Sequence, residues 1–451
     1  VVRSIVTVEK GVKGEWATEG QPEEDIIKRL KGEPGTNVVL KVMRRGMKEP
    51  KEYDITRDLI HIPALEAELL PGGVGYFDVQ QFGREATDQL VHEIEGMKPN
   101  GLRGVVLDLR NNPGGFLDSA RDMVSVFVPK GTKVCYTESR DRRREDVVTV
   151  ASPVVAPDVP VVVLVNGYSA SASEITAGAL QDAGRAEVVG EHTYGKGSVQ
   201  KIFALSSVPD EQFTDQDGNG LHDAWEPFDD RNHNGKFDAG PRIKLTVDRW
   251  FLPGGRNVNT EYDHTQRKTN RGGIEPDVEV KPSEVDLAKY EETVRLFDDD
   301  AFKNYVRDRV PKDLELFTKL ALSDDKDPKR YPGFDELYAQ LKTKLDRNDV
   351  RRMLRVQIRD KVAEERGRMF PGFGTPFGSQ GDVQEDLQLR EAISIVLTKL
   401  HSSFDAVPEY RSLLEHEKAL GIVLGPKSGR EAKKDSASPD SEPDDDGVTV
   451  K

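Results

Sequence analysis

The chain has 451 residues, 36% of them hydrophobic and 32% charged, with a net charge of −15. That length predicts two or three domains, and the acidity argues against nucleic acid as a partner. No apolar run reaches the roughly 18 residues that cross a bilayer.

Residues 1–58 read as part of a small α/β module. Ser4–Val8 alternates as a strand, and Pro22–Leu30 places Ile26, Ile27 and Leu30 on one helical face. Gly32-Glu33-Pro34-Gly35-Thr36 is a turn, followed by strands over 38–42 and 52–57. Residues 59–284 form the main domain. From Gly75 to Ala183 strands and helices alternate, with near-continuous apolar strands at Gly104–Leu109 and Pro160–Val165 of the kind buried on both faces. This rhythm predicts a layered α/β domain with parallel strands. The turns Arg110–Gly115 and Asn166–Ser171 directly follow those two strands, so they are expected to converge on one crevice. Cys135 is the single cysteine, read as a core residue in a strand. A strand pair, 199–205 and 242–251, is interrupted by an acidic insert over 207–241. Within it residues 210–238 carry nine acids against Arg231 and Lys236. Residues 285–425 are helical, with stripes at Leu337, Leu341 and Leu345 and at Leu389, Ile393, Val396, Leu397 and Leu400 that read as core. Residues 426–451 are rich in Ser, Pro and Asp and are expected to be disordered.

Ser171 and Lys196 hold the chemistry. A serine hydroxyl needs an adjacent base to attack a carbonyl, and a lysine is that base only where burial removes its proton. Ser171 stands where an apolar strand turns into a helix, whose first N–H groups and dipole favour a forming oxyanion. Gly114-Gly115 closes the neighbouring turn and brings further backbone N–H groups close. Taken alone, Ser169-Ala170-Ser171-Ala172-Ser173 is a good helix-capping run, and Lys196 between two glycines is a solvated loop lysine.

In combination they are more specific. The run Asn166–Ile175 followed by Thr193-Tyr194-Gly195-Lys196-Gly197-Ser198-Val199-Gln200 resembles the carboxyl-terminal processing, or tail-specific, proteases. So do Leu107–Gly115 and Gly272-Gly273-Ile274-Glu275-Pro276-Asp277-Val278. The resemblance covers about residues 1–285. It implies a crotonase-like layered α/β protease core, with the C-terminal half of a PDZ-like module at 1–58 and the rest of that module expected upstream. It implies a Ser171 nucleophile, Lys196 as general base and Gln200 orienting the lysine amine. Backbone N–H groups of Ala172 and of Gly114 or Gly115 would form the oxyanion hole. Asp182, Glu174 and Thr193 match supporting positions. His192 stands where a basic residue is common among relatives, and no acid motif accompanies it to make a Ser-His system. The activity implied is endoproteolysis near the C-termini of proteins with unstructured tails, through an acyl-enzyme and without a catalytic cofactor. A periplasmic or other extracytoplasmic location and a possible homo-oligomer come with it.

The insert carries a second pattern. Asp215, Asp217, Asn219, Asp223 and Glu226 fall at positions 1, 3, 5, 9 and 12 of a calcium-loop template. Leu221 gives its carbonyl at position 7 and Gly220 makes the turn at position 6. Fifteen residues on, Asp230, Asn232, Asn234 and Asp238 repeat the pattern, with Pro241 at position 12 in place of the glutamate. Hard oxygens favour calcium over zinc at His222 and His233. The alternatives to a protease are a non-catalytic binding protein on the same fold, a calcium-dependent scaffold, or a crotonase-like acyl enzyme. No coenzyme A pocket signature supports the last.

Overall fold

The computed structural model describes residues 2–419 apart from 10–11, 44–48, 60–62, 206–210, 217–221, 224, 239, 263–267, 283–285, 373 and 376–377. Two compact units follow one another, Val1–Val278 and Glu279–Lys451. The first begins with β1 (Val2–Glu9), β2 (Val12–Ala17), α1 (Glu23–Leu30), β3 (Asn37–Val42) and β4 (Lys51–Thr56), whose strands form an antiparallel sheet in the order β2-β1-β3-β4. Strand β2 lies where no alternation marks the sequence. It is specified by its hairpin partner β1, with Ile5 opposite Trp16.

The main sheet is built from β5 (Leu65–Leu70), β6 (Val74–Val79), β7 (Gly104–Asp108), β10 (Val161–Val165), β11 (Glu187–Gly190) and β16 (Val278–Glu279), in the order β16-β11-β10-β7-β6-β5. Strands β6, β7, β10 and β11 are parallel. Strand β5 closes the edge antiparallel to β6. The apolar strands β7 and β10 are buried along their whole length, as expected for the centre of a parallel sheet. One face, with Phe77, Val105, Leu107, Val161 and Val163, packs in one core with helices α2 (Ala86–Met97), α3 (Leu117–Ser125) and α4 (Ala172–Asp182). Each large apolar side chain buried there contributes about 1.5–3 kcal/mol relative to exposure. A second, antiparallel sheet takes the order β12-β13-β8-β9, from β8 (Lys133–Ser139), β9 (Arg144–Val148), β12 (Ser198–Ala204) and β13 (Arg242–Phe251). Strands β12 and β13 pair around the insert, as the sequence predicts. Cys135 is buried in β8, and burial pushes its thiol up to about 12, which leaves it unreactive. Two short ribbons, β14 (Glu261–Tyr262) with β15 (Lys268–Asn270) and β17 (Gly374–Thr375) with β18 (Gly378–Ser379), complete the strands.

The second unit is helical: α5 (Tyr290–Phe297), α6 (Asp300–Arg309), α7 (Leu314–Leu322), α8 (Phe334–Leu341), α9 (Arg347–Arg366), α10 (Leu387–Lys399) and α11 (Pro408–Ala419). Leu337, Leu341 and Leu345 are buried in its core. Helix α9 also buries Arg351 against Asp324 (2.7 Å) and Arg355 against Asp382 (2.6 Å). Burial would raise the Asp382 carboxyl, but Arg355 and Arg359 beside it hold it well below the usual carboxylate range. The acidic tail at 426–451 lies outside the described residues.

Candidate active site

The two turns after β7 and β10 are fastened to each other. Asn111 N–H donates to Asn166 Oδ1 and Asn166 Nδ2 donates to Asn111 Oδ1, both at 2.9 Å. Ser169 Oγ donates to Leu109 O (2.7 Å) and Ser173 Oγ to Asn112 O (2.9 Å). Asn112 O also accepts from Ala170 N (3.1 Å), and Asn112 Nδ2 donates to Val79 O (2.6 Å). The three serines therefore have different duties. Ser169 and Ser173 are fully buried and committed to holding the turns together. Ser171 is only half-buried. It has φ 56° and ψ −112°, a conformation that costs a non-glycine residue about 1–3 kcal/mol. Ser171 and Glu174 pair in the manner of a capping box. The hydroxyl's half falls short of a hydrogen bond, whereas the carboxylate's half, Ser171 N to Glu174 Oε2, is a 2.8 Å bond. A strained serine at a strand-to-helix turn, with its hydroxyl uncommitted, has the geometry of a nucleophile elbow.

Gly114 comes up against this elbow. It has φ 98°, and a Cβ there would stand 2.9 Å from Ser171 Cβ and 2.8 Å from Ala172 N, so no side chain fits. The Gly114 N–H is taken by Asn112 Oδ1 at 2.9 Å. The N–H groups of Gly115 and Ala172 make no hydrogen bond among the described residues. Of the three candidate donors, Ala172 and either Gly114 or Gly115, the uncommitted two are Ala172 and Gly115.

The lysine loop is anchored by Glu174. This glutamate is fully buried on the first turn of α4. It accepts from Thr193 Oγ1 (2.7 Å), Gly195 N (2.6 Å) and Lys196 N (2.9 Å), besides Ser171 N. Burial pushes its carboxyl above the usual value, and these donors pull it back. On the other side Trp250 Nε1 donates to Lys196 O at 3.1 Å. Thr193 Oγ1 also accepts from Ile274 N (2.6 Å), which brings in the Gly272–Val278 segment. The backbone of Lys196 is thus fixed from both sides. Its side chain is exposed, and no hydrogen bond joins it to Ser171 Oγ or to Gln200, which is itself exposed on β12 opposite Thr246.

Two other residues from the sequence reading lie elsewhere or act locally. Asp182 ends α4, roughly 16 Å along the helix from Ser171, and is ion-paired with Arg256 at 2.8 Å. That places it away from the elbow. His192 Nδ1 bonds the carbonyl of Thr193 at 3.0 Å. The contributions of Asn111, Asn112, Asn166 and Trp250 were not foreseen. The asparagines had a signal, since two stand in the first converging turn and one in the second; Trp250 had none.

The insert proves to be a tandem repeat of fifteen residues, Glu211–Trp225 and Glu226–Gly240, each of the form Glu-x-Phe-x-Asp-x-Asp/Asn-x-Asn-Gly-x-x-Asp-Ala-x. Phe213 and Phe228 pair across the repeats and, with Phe237 and His222, form a small aromatic core. Glu226 Oε1 accepts from Gln216 N (2.7 Å) and Oε2 from Asp223 N (2.9 Å). Glu211 does the same for the second loop, with Arg231 N (2.9 Å) and Asp238 N (2.9 Å). Both glutamates are buried. The glutamate missing at position 12 of the second loop is therefore matched in place by Glu211, one repeat upstream. Asp217, Asn219 and Leu221 lie outside the described residues. Among the described residues no three His, Cys, Asp or Glu side chains converge as a metal site. Asp223 instead accepts from Lys31 at 3.0 Å, so the insert meets the N-terminal module.

Residues 73–280 match peptidase family S41. The chain is 41% identical over 187 residues to a carboxyl-terminal-processing protease of Synechocystis sp., covering 41% of this chain and 43% of that protein. It is 30% identical over 300 residues to a probable CtpA-like serine protease of Staphylococcus epidermidis, covering 66% and 51%. The chain thus spans about half or less of these relatives' length. Among solved structures it is similar to a photosystem II D1 C-terminal processing protease, with 24% identity, a TM-score of 0.37, and coverage of 61% and 63%.

Proposed function

We propose that this chain, whose residues 73–280 match peptidase family S41, is a serine endopeptidase acting through Ser171 and Lys196 on polypeptides near their C-termini. The observation that carries this is the strained, uncommitted Ser171 against two free N–H groups. Ser171 Oγ attacks the scissile carbonyl carbon and its proton passes to the Lys196 amine. The Gly115 and Ala172 N–H groups receive the oxyanion. As the C–N bond breaks, Lys196 returns the proton to the leaving amine, and a water then hydrolyses the acyl-Ser171 ester. A polypeptide lying in the crevice covers the exposed lysine, which is the desolvation such a base requires; hydrogen bonds of this kind often form only in the substrate complex. Gln200 would then meet the amine. Residues 1–58 act as a PDZ-like module that presents the substrate tail.

The test is cleavage of an unfolded protein, together with labelling by a fluorophosphonate. The expected result is turnover and one label per chain, both lost in Ser171→Ala. Binding of the unfolded protein with no turnover and no label would favour a non-catalytic binder instead.

The insert belongs to the same reading as a structural calcium module, suited to an extracytoplasmic setting where calcium is abundant. Its support is the repeat, whose two loops each have hard oxygens and a buried glutamate over positions 2 and 9. Calorimetric titration of the whole chain is expected to show up to two calcium ions bound at millimolar concentration or below, and Glu211→Gln to weaken one of them. No heat of binding at millimolar calcium would refute it.

A further inference from the structure

We propose that Phe116, Tyr168 and Tyr194 form an aromatic rim that takes the apolar side chains flanking the scissile bond of an extended polypeptide substrate. The inference rests on the serine endopeptidase reading and names the specificity of that same site. These three are the most exposed aromatic rings among the described residues, at 58%, 74% and 62%. Each comes from a different segment of the site. Phe116 follows Gly115, Tyr168 lies three residues before Ser171, and Tyr194 lies two before Lys196. Tyr194 N donates to Ser169 O at 3.1 Å, which joins the lysine loop to the serine turn, and the Asn111–Asn166 pair joins that turn to the one before Phe116. Tyr168 N donates to Asn166 Oδ1 and Phe116 N to Phe82 O, each at 3.1 Å. The backbone beneath each ring is therefore fixed while the ring stands in water.

A ring of this kind presents a large apolar surface at low conformational cost, and clustered exposed apolar groups mark a binding site. The occupant follows from continuity with the elbow. A chain whose carbonyl is held over the Gly115 and Ala172 N–H groups has its neighbouring side chains within the span of these three segments. The three rings carry no charge of their own; the Arg84 guanidinium stands 6.0 Å from the centre of the Phe116 ring. It therefore favours apolar over acidic flanking residues.

The experiment compares two unstructured peptides that differ only beside the cleaved bond, Leu and Phe in one, Ser and Asp in the other. The wild-type chain is expected to prefer the apolar peptide by at least tenfold in kcat/KM, in the range that apolar pockets give. Tyr168→Ser, Tyr194→Ser and Phe116→Ser are each expected to reduce the preference about fivefold, while Tyr168→Phe and Tyr194→Phe retain it. An unchanged preference in the serine variants, or none in the wild type, overturns the rim. So does a dimer in sedimentation that the serine variants dissociate, because a second copy would then cover the rings. Fluorophosphonate labelling of the wild type separates the two failures: no label defeats the serine reading, whereas a label with an unmoved preference defeats only the rim.

Discussion

Lys196→Ala is expected to lower kcat/KM for an unfolded protein by about 10³–10⁴-fold, near the upper end of what a general base supplies. The loop around it should survive the change. Lys196 is held through its backbone, by Glu174 at the N–H and by Trp250 at the carbonyl, and its side chain makes no hydrogen bond among the described residues. An unchanged melting temperature with lost turnover would isolate the amine as the missing part. Lys196→Arg should not restore activity, because a guanidinium does not release its proton in a protein. A small primary amine added to Lys196→Ala should restore part of the rate, since it can enter the space the side chain leaves. Full activity of Lys196→Ala would defeat the mechanism, and absence of amine rescue with a lowered melting temperature would show the residue to be structural.

How far this site was legible depends on what kind of signal placed each residue. The two apolar strands after which the turns fall are continuous Val/Leu runs, so the positions of β7 and β10, and hence of both turns, follow from burial on two faces. The convergence of those turns also followed, because parallel neighbours present their carboxyl ends together. What periodicity did not carry is side-chain division of labour. Ser169, Ser171 and Ser173 are alternate residues in one run, and nothing in their spacing tells which is strained. Only the backbone at φ 56° and the bonds to Leu109 and Asn112 separate them. Strands β5, β9 and β11 are short, or lie at or near a sheet edge with mixed polarity, so their partners rather than their composition define them. The insert shows the opposite case. Its template was visible at Asp215–Glu226, but a loop-by-loop match hides Glu211, which lies before the first loop. Aligning the whole fifteen-residue unit, with Glu211 over Glu226 and Phe213 over Phe228, would have found it.

The sequence ranked Glu174 as a supporting residue, whereas its geometry gives it the second-largest expected effect. Glu174→Ala should lower kcat/KM by at least about 100-fold and cost about 2–4 kcal/mol of stability, as expected for breaking a buried hydrogen-bond network. The carboxylate is the only group that bonds both the Ser171 N–H and the lysine loop among the described residues, at 2.8 Å on one side and 2.6–2.9 Å on the other. Its loss leaves three backbone N–H groups and the Thr193 hydroxyl without their acceptor. Each buried donor left unsatisfied costs about 1–3 kcal/mol, although water entering the space recovers part of this. The strained turn at Ser171 is then no longer over-determined, and relaxing it would turn the hydroxyl away from the Gly115 and Ala172 N–H groups. Glu174→Gln provides the discriminating comparison. Its amide oxygen keeps one side of the bridge, but its NH₂ faces donors on the other, so an intermediate loss of stability with a large loss of kcat is expected. Calorimetry and single-turnover acylation by a fluorophosphonate, run on both variants, read these separately. If Glu174→Ala acylates at the wild-type rate, the bridge holds the fold and not the nucleophile, and the positioning role is refuted.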